Sequence, residues 1–304
     1  MFGGEGLLGV YGQPGFELIA GDIRNPNHVE YALREIDVVI HLAALVGDPP
    51  CKVNPALTEA INVRGACDVF ESARRLGVGR FVFFSTCSIY GIQHQPADEE
   101  SPLHPVSLYA ETKIHTEQYI MQHLDPRMTS VIVRLATAFG LAPRMRFNLL
   151  ISQLVREAFL TRKVSVYGSD AWRPYIHVTD IARAVALLVQ VPKDLIHGEV
   201  FNVGAENVRK TDLVNMIRKW IPDLIVEHIG QVTDPRNYRV SFEKFNRRFN
   251  FVPAKSVDMG VEEVFCSLDK GVFANPLDPK FDIWLDEAKL MRVDELVERL
   301  RWLA

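Results

Sequence analysis

What this 304-residue chain lacks narrows its identity first. Its four cysteines, Cys51, Cys67, Cys87 and Cys266, form no C-x-x-C pair and share no metal-ligand spacing with histidine. Neither a disulfide framework nor a metal site is expected, and the thiols fit a reducing cytoplasm. Lys and Arg number 34 against 38 Asp and Glu, a net charge of -4. That balance offers no basic face for nucleic acid. No apolar run reaches the length of a membrane span, and no signal peptide is expected. Internal repeats and low-complexity tracts are absent, which excludes solenoids and long disordered tails. What remains is a soluble globular chain, long enough for one large domain and a smaller one.

A phosphate cradle is the next missing feature. The opening "MFGGEGLLG" sets Gly3, Gly6 and Gly9 at the G-x-x-G-x-x-G spacing of a dinucleotide-binding loop. Such a loop needs a buried strand before it and a helix after it, whose N-terminus faces the pyrophosphate. Only Met1 and Phe2 precede Gly3, and "VYGQPGFEL", with Gly12, Pro14 and Gly15, cannot continue as a helix. The stretch reads as a surface loop leading into a strand.

The elements that are present alternate. "FELIAGDI" and "DVVIHLAAL" read as buried parallel strands, with "NPNHVEYALREI" a helix between them capped by Asn25 or Asn27. Residues 55 to 76 form a long helix stopped by Gly77. "RFVFFST", a helix from "VSLYAETK" onward, and "TSVIVRLATAFG" continue the β-α-β order of a doubly wound, Rossmann-like α/β sheet. From about Pro143 the rhythm changes, and a smaller, discontinuous α/β domain is expected. The larger domain takes residues 1–141 plus about 174–204, and the smaller one takes 142–173 and 205–304. The closing "MRVDELVERLRWLA" reads as an amphipathic helix.

The chemistry gathers between "FFSTCSIYG" and "YAETK". Tyr109 and Lys113 stand four apart on a helix, hence on one face. An ammonium beside a phenol favours the phenolate and prepares it for proton transfer. Thr86 ends an apolar strand at the carboxyl edge, where open α/β sheets bind ligands, and its hydroxyl can bond the oxygen that Tyr109 deprotonates.

In these motifs the chain resembles the extended short-chain dehydrogenases/reductases, the NAD-dependent epimerase/dehydratase group acting on nucleotide sugars. The matches run in order over residues 16 to 253. The resemblance implies that Asp22 in "GDIRN" contacts the adenine, and that Ile23, Leu42, Ala43 and Ala44 lie on the cofactor. It places Asn62, Ser85, Tyr109 and Lys113 on the cofactor too, with Thr86, Tyr109 and Lys113 catalytic. Thr86, Ser88, Thr137, Asn148, Arg173 and Arg236 fall on the side of the substrate, a nucleoside-diphosphate sugar. NAD is the implied cofactor, with NADP left open. Members commonly dimerise through the helices holding Asn62 and Tyr109.

Three departures refine this. The family's opening strand, Gly-rich loop, helix and second strand have no counterpart, so the chain reads either as a shortened enzyme or as a non-catalytic ligand-binding relative on the same fold. The family's 4,6-dehydratases follow Thr with Asp-Glu, whereas Thr86-Cys87-Ser88 stands here, which favours an epimerase or ketoreductase; Cys87 itself reads as a buried structural thiol. Pro174 stands in "WRP" where the family often has Asp, leaving Arg173 the candidate for the diphosphate. "APRMRFN" adds Arg144 and Arg146 beside Asn148, and His177 reads as structural.

Overall fold

A computed structural model describes residues 5–282, except 167, 169 and 229–236. Gly3, Arg236 and the expected closing helix therefore lie outside the described residues.

Helix α1 (Pro26–Ala32) begins where Asn25 accepts from the Asn27 N–H and Pro26 occupies the first turn. Strand β1 (Val38–His41) follows, then α2 (Asp48–Val53). The long helix expected over 55 to 76 is one rod in three parts: α3 (Pro55–Glu59), a π turn (Ala60–Gly65) and α4 (Ala66–Arg75). Gly77, at φ +82°, ends it in a conformation that costs glycine little. Strand β2 (Arg80–Thr86), helix α5 (Leu108–Gln122), capped by Ser107, and strand β3 (Thr129–Leu135) complete the first half.

The chain then leaves the main sheet. Strand β4 (Thr137–Phe139), helix α6 (Leu150–Thr161), and strands β5 (Lys163–Val166) and β6 (Trp172–His177) come next. Helix α7 (Val178–Gln190) and strand β7 (Glu199–Val203) return to the sheet. Strand β8 (Glu206–Arg209), helix α8 (Lys210–Arg218), strand β9 (Ile225–His228), and helices α9 (Glu243–Phe249) and α10 (Val257–Asp269) end the described chain. No helix among the described residues is long and apolar enough to cross a membrane.

The main sheet runs β1-β2-β3-β7, all parallel. Alternate residues of β2 explain why both faces are covered. Phe81 and Phe83 pack with Phe70 and Ile120 of the α4 and α5 layer, while Val82 and Phe84 pack with Ala184 and Leu188 of α7. A second apolar cluster unites α6, α8 and α10 around Phe147, Leu154, Leu213 and Val261. Beside it lie the β4-β6-β8 sheet and the β5-β9 pair.

Two expectations are corrected at the first edge of the sheet. "FELIAGDI" is not a strand; Leu18 and Ile19 are exposed there. "DVVIHLAAL" does pair, but as an edge, with Ile40 at 38% and Leu42 at 61% exposure. An edge strand is buried only where another element covers its open side, and among the described residues β1 pairs with β2 alone.

Candidate active site

The end of β2 and the start of α5 meet over the sheet's carboxyl edge. Thr86 leaves the strand and caps the next turn, its Oγ1 accepting from the Ser88 N–H at 3.1 Å and lying 3.0 Å from Ser88 Oγ. Ser107 starts α5 by accepting from the Ala110 N–H, which fixes the helix so that Tyr109 and Lys113 face the strand end. The Thr86 hydroxyl and the Tyr109 phenol border the same cleft, and Thr86 favours the ionised phenol. These groups open into a cleft of about 420 Å³. It is also lined by Ser85, Ser88, Thr137, Asn148 and Arg173, so seven of the expected residues share one cavity.

The electrostatics differ from the sequence expectation. Burial is the largest influence on Tyr109 and raises its phenol above the ordinary range. Cys51 adds to that, and the Thr86 hydroxyl opposes it. The Lys113 ammonium, expected to depress the phenol, donates to the Phe84 carbonyl at 2.8 Å and lies 4.8 Å from the Phe83 ring centre. Burial pulls Lys113 itself down to about 8. Tyr109 is thus a neutral proton donor at neutral pH.

Three basic side chains line the cleft: Arg146, Arg173 and Lys210. Arg173 is buried in β6, 5.8 Å from the Tyr238 ring, and Tyr238 lines the cleft as well. Arg146 approaches Asn148, Nε to Oδ1 3.4 Å, and burial together with Arg144 lowers its basicity. Asp48 is the carboxylate among the lining residues. Lys210, Tyr238, Gln153 and Asp48 are additions that sequence reasoning missed; only Arg146, beside Asn148 in "APRMRFN", carried a signal.

The family model described as the NAD dependent epimerase/dehydratase family matches residues 5–204. The chain belongs to that family. It is 27% identical over 270 residues to UDP-glucuronic acid decarboxylase 1 of Arabidopsis thaliana, covering 84% of this chain and 59% of that protein. It is 29% identical over 187 residues to UDP-glucose 4-epimerase 3 of Oryza sativa subsp. japonica, covering 55% and 50%. The chain thus spans between half and three fifths of the length of these two curated relatives. The fold is shared with the UDP-glucuronic acid 4-epimerase of Bacillus cereus, solved with UDP-glucuronic acid and NAD, at a TM-score of 0.77, 22% identity, and coverage of 87% and 85%.

For this member of the epimerase/dehydratase family, the residues expected on the cofactor side are more scattered. Ser85 fits a polar ligand across the strand ends, because its Oγ is buried, borders the cleft and has no hydrogen-bond partner among the described residues. Asn62 does not extend toward a ligand. Its Oδ1 accepts from Leu45 N at 2.8 Å while its Nδ2 donates to Leu45 O at 2.9 Å, so it ties the loop after β1 to the π turn. The amide positions the loop. Leu42 and Ala43 are exposed and Ala44 half-buried on that loop. Asp22 and Ile23 border a separate hollow of about 200 Å³, where Arg24 grips the Asp22 carboxylate at 2.6 Å. A strand, Gly-rich loop and helix in that order do not occur among the described residues.

Cys87 and His177 behave as expected of structural groups. The Cys87 thiol donates to the Arg134 carbonyl at 3.2 Å, and burial pushes it up. His177 lies 2.8 Å from both Thr179 Oγ1 and Glu263 Oε2.

Proposed function

We propose that the chain acts on a nucleoside-diphosphate sugar as an NAD-dependent epimerase or 4-ketoreductase, with Tyr109 the acid/base. The observation that carries this reading is the meeting of Tyr109 and Thr86 in one cleft bordered by the basic side chains Arg146, Arg173 and Lys210. NADP remains an open alternative to NAD. Arg173, Arg146 and Asn148 are suited to a diphosphate, since guanidinium groups pair phosphate oxygens with two hydrogen bonds.

Tyr109, held neutral, would give its proton to the oxygen of a keto sugar; in the reverse direction it would receive a hydroxyl proton. Thr86 would hold that oxygen. Lys113 would supply a fixed positive charge that steadies the developing negative charge. Bound NAD would supply the hydride donor and acceptor, for which Ser85 Oγ offers an unused hydrogen-bonding group at the strand end. A 4,6-elimination would need an acid and a base beside Thr86. Here Cys87 turns into the core and Ser88 lines the cleft, which favours the epimerase or reductase reading.

The test is calorimetric titration of NAD and NADH, then turnover of UDP- and dTDP-sugars followed by product chromatography. Tyr109→Phe is expected to lower turnover by roughly 10²–10⁴ while sparing cofactor affinity. Binding without turnover in the unaltered chain would favour the non-catalytic reading.

A further inference from the structure

Three parallel strands put Ser85 of β2, Arg134 of β3 and Asn202 of β7 in one row of the sheet, and Ser85 at its end lines the cleft. All three are buried in an otherwise apolar layer. Arg134 organises the row. Its Nη2 donates to Glu117 Oε2 at 2.8 Å and its Nε reaches both Glu117 oxygens at 3.3 and 3.2 Å. Its Nη1 donates to the Tyr90 hydroxyl at 2.9 Å and to the Glu99 carbonyl at 3.1 Å. Tyr90 in turn donates to Asn202 Oδ1 at 2.7 Å. A buried ion pair is weak evidence for stability, because the desolvation of both charges offsets most of their attraction. Its location asks for another reason.

Glu117 supplies one. Tyr109, Lys113 and Glu117 recur every fourth residue along α5, so they lie on one face. All three face the sheet: Tyr109 borders the cleft beside Thr86, Lys113 donates to the Phe84 carbonyl over the Phe83 ring, and Glu117 pairs with Arg134. We propose that Glu117, clamped by Arg134, is a positioning residue that fixes α5 over the strand ends and holds the buried Lys113 ammonium charged. This rests on the reading of Tyr109 and Lys113 as the reacting site.

The other titratable groups facing Lys113 are Tyr109 on α5, Cys51 on α2 and His41 on β1. Burial keeps all three neutral at neutral pH, the thiol at about 11 and the imidazole at about 4. The Glu117 carboxylate is therefore the negative charge that opposes the desolvation of Lys113. Without it the ammonium would lose a charge that opposes its desolvation, and its proton affinity would fall further.

The test is an NMR titration of the chain carrying ¹³C-labelled lysine, with the Lys113 side-chain signal assigned by its loss in Lys113→Arg. It needs neither substrate nor cofactor, so it can fail independently of the functional reading. Glu117→Gln is expected to lower the proton affinity of Lys113 by roughly tenfold or more. Because Glu117→Gln leaves Arg134 buried without its carboxylate, a second variant, Glu117→Met with Arg134→Met, restores an apolar contact. It is expected to show a smaller loss of affinity in the same direction in a folded chain, since the Arg134 charge leaves with that of Glu117. An unchanged Lys113 titration in both variants would reduce the pair to a packing device and overturn the proposal. Where the unaltered chain turns over a nucleotide sugar, the alkaline limb of kcat should move to lower pH in both variants. A uniform loss at every pH would also count against it.

Discussion

His41 stacks between Phe81 and Phe83, with ring centres 6.0 and 5.9 Å apart, and burial pulls its imidazole from 6.5 down to about 4. The unfolded chain therefore binds this proton at a higher pH than the folded one. The contribution of His41 is fully present above pH 6.5 and is lost as the pH falls toward 4. Replacing His41 with Phe, which keeps a flat ring between the two phenyls, should remove this sensitivity. Across that window unaltered protein is expected to lose roughly 3 kcal/mol relative to His41→Phe, read from urea midpoints at several pH values. Asn62 makes a different residue-scale prediction. Asn62→Ala leaves the N–H and C=O of Leu45, both bonded by its amide, without those partners, and should destabilise by about 2–4 kcal/mol at neutral pH. A cost below about 0.5 kcal/mol would mean the loop after β1 is not held by this amide. Neither role could be read in the sequence, where His41 and Asn62 are single letters whose partners come from other elements. Tyr109 and Lys113 were legible because their relation is local: one helical turn fixes it.

At the scale of elements, the cleft wall depends on how β4 turns toward α6. Gly140, at φ +107°, follows β4, and a Cβ there would lie 2.1 Å from His177 Nε2. That ring cannot give way easily, because Thr179 holds one nitrogen and Glu263 the other, and Glu263 also accepts from the Leu141 N–H at 3.1 Å. Gly140→Ala combines backbone strain with a clash against a fixed ring. It should cost about 3 kcal/mol or more, measured as a fall in the denaturant midpoint, and shift the Thr137 and Ala138 wall of the cleft. An unchanged midpoint would show that the turn has room to relax. β2 and α5 were readable because their signals are local: a continuous apolar run in β2 and the Ser107 cap at the start of α5. Arg146 and Lys210 reach the cleft from the segment after β4 and from the first turn of α8, far apart in the chain. No local pattern announces such convergence, since side chains from separate elements meet only through packing.

The whole sheet is asymmetric at its two edges. α9 shields β7: Phe245 and Phe249 pack edge-on against Phe201, and Lys244 Nζ donates to the Val200 carbonyl at 2.9 Å. Among the described residues β1 has no such cover, and Ile40, Leu42, Val46, Leu18 and Ile19 leave apolar surface near that edge. The sequence could not show which apolar run would lie at an edge, because burial of a strand depends on its neighbours and not on its own letters. An open apolar edge invites pairing with another strand, and natural sheets commonly guard theirs with lysine. The chain should therefore self-associate as its concentration rises, and Ile40→Lys should weaken that association at least tenfold in sedimentation experiments, by placing a charge where a second edge would dock. Association through the helices that carry Asn62 and Tyr109, the contact implied by family resemblance, would not feel that charge. A dimer of equal strength in Ile40→Lys would move the interface to those helices, and charge substitutions on the exposed flank of α4 would then be the ones to dissociate it.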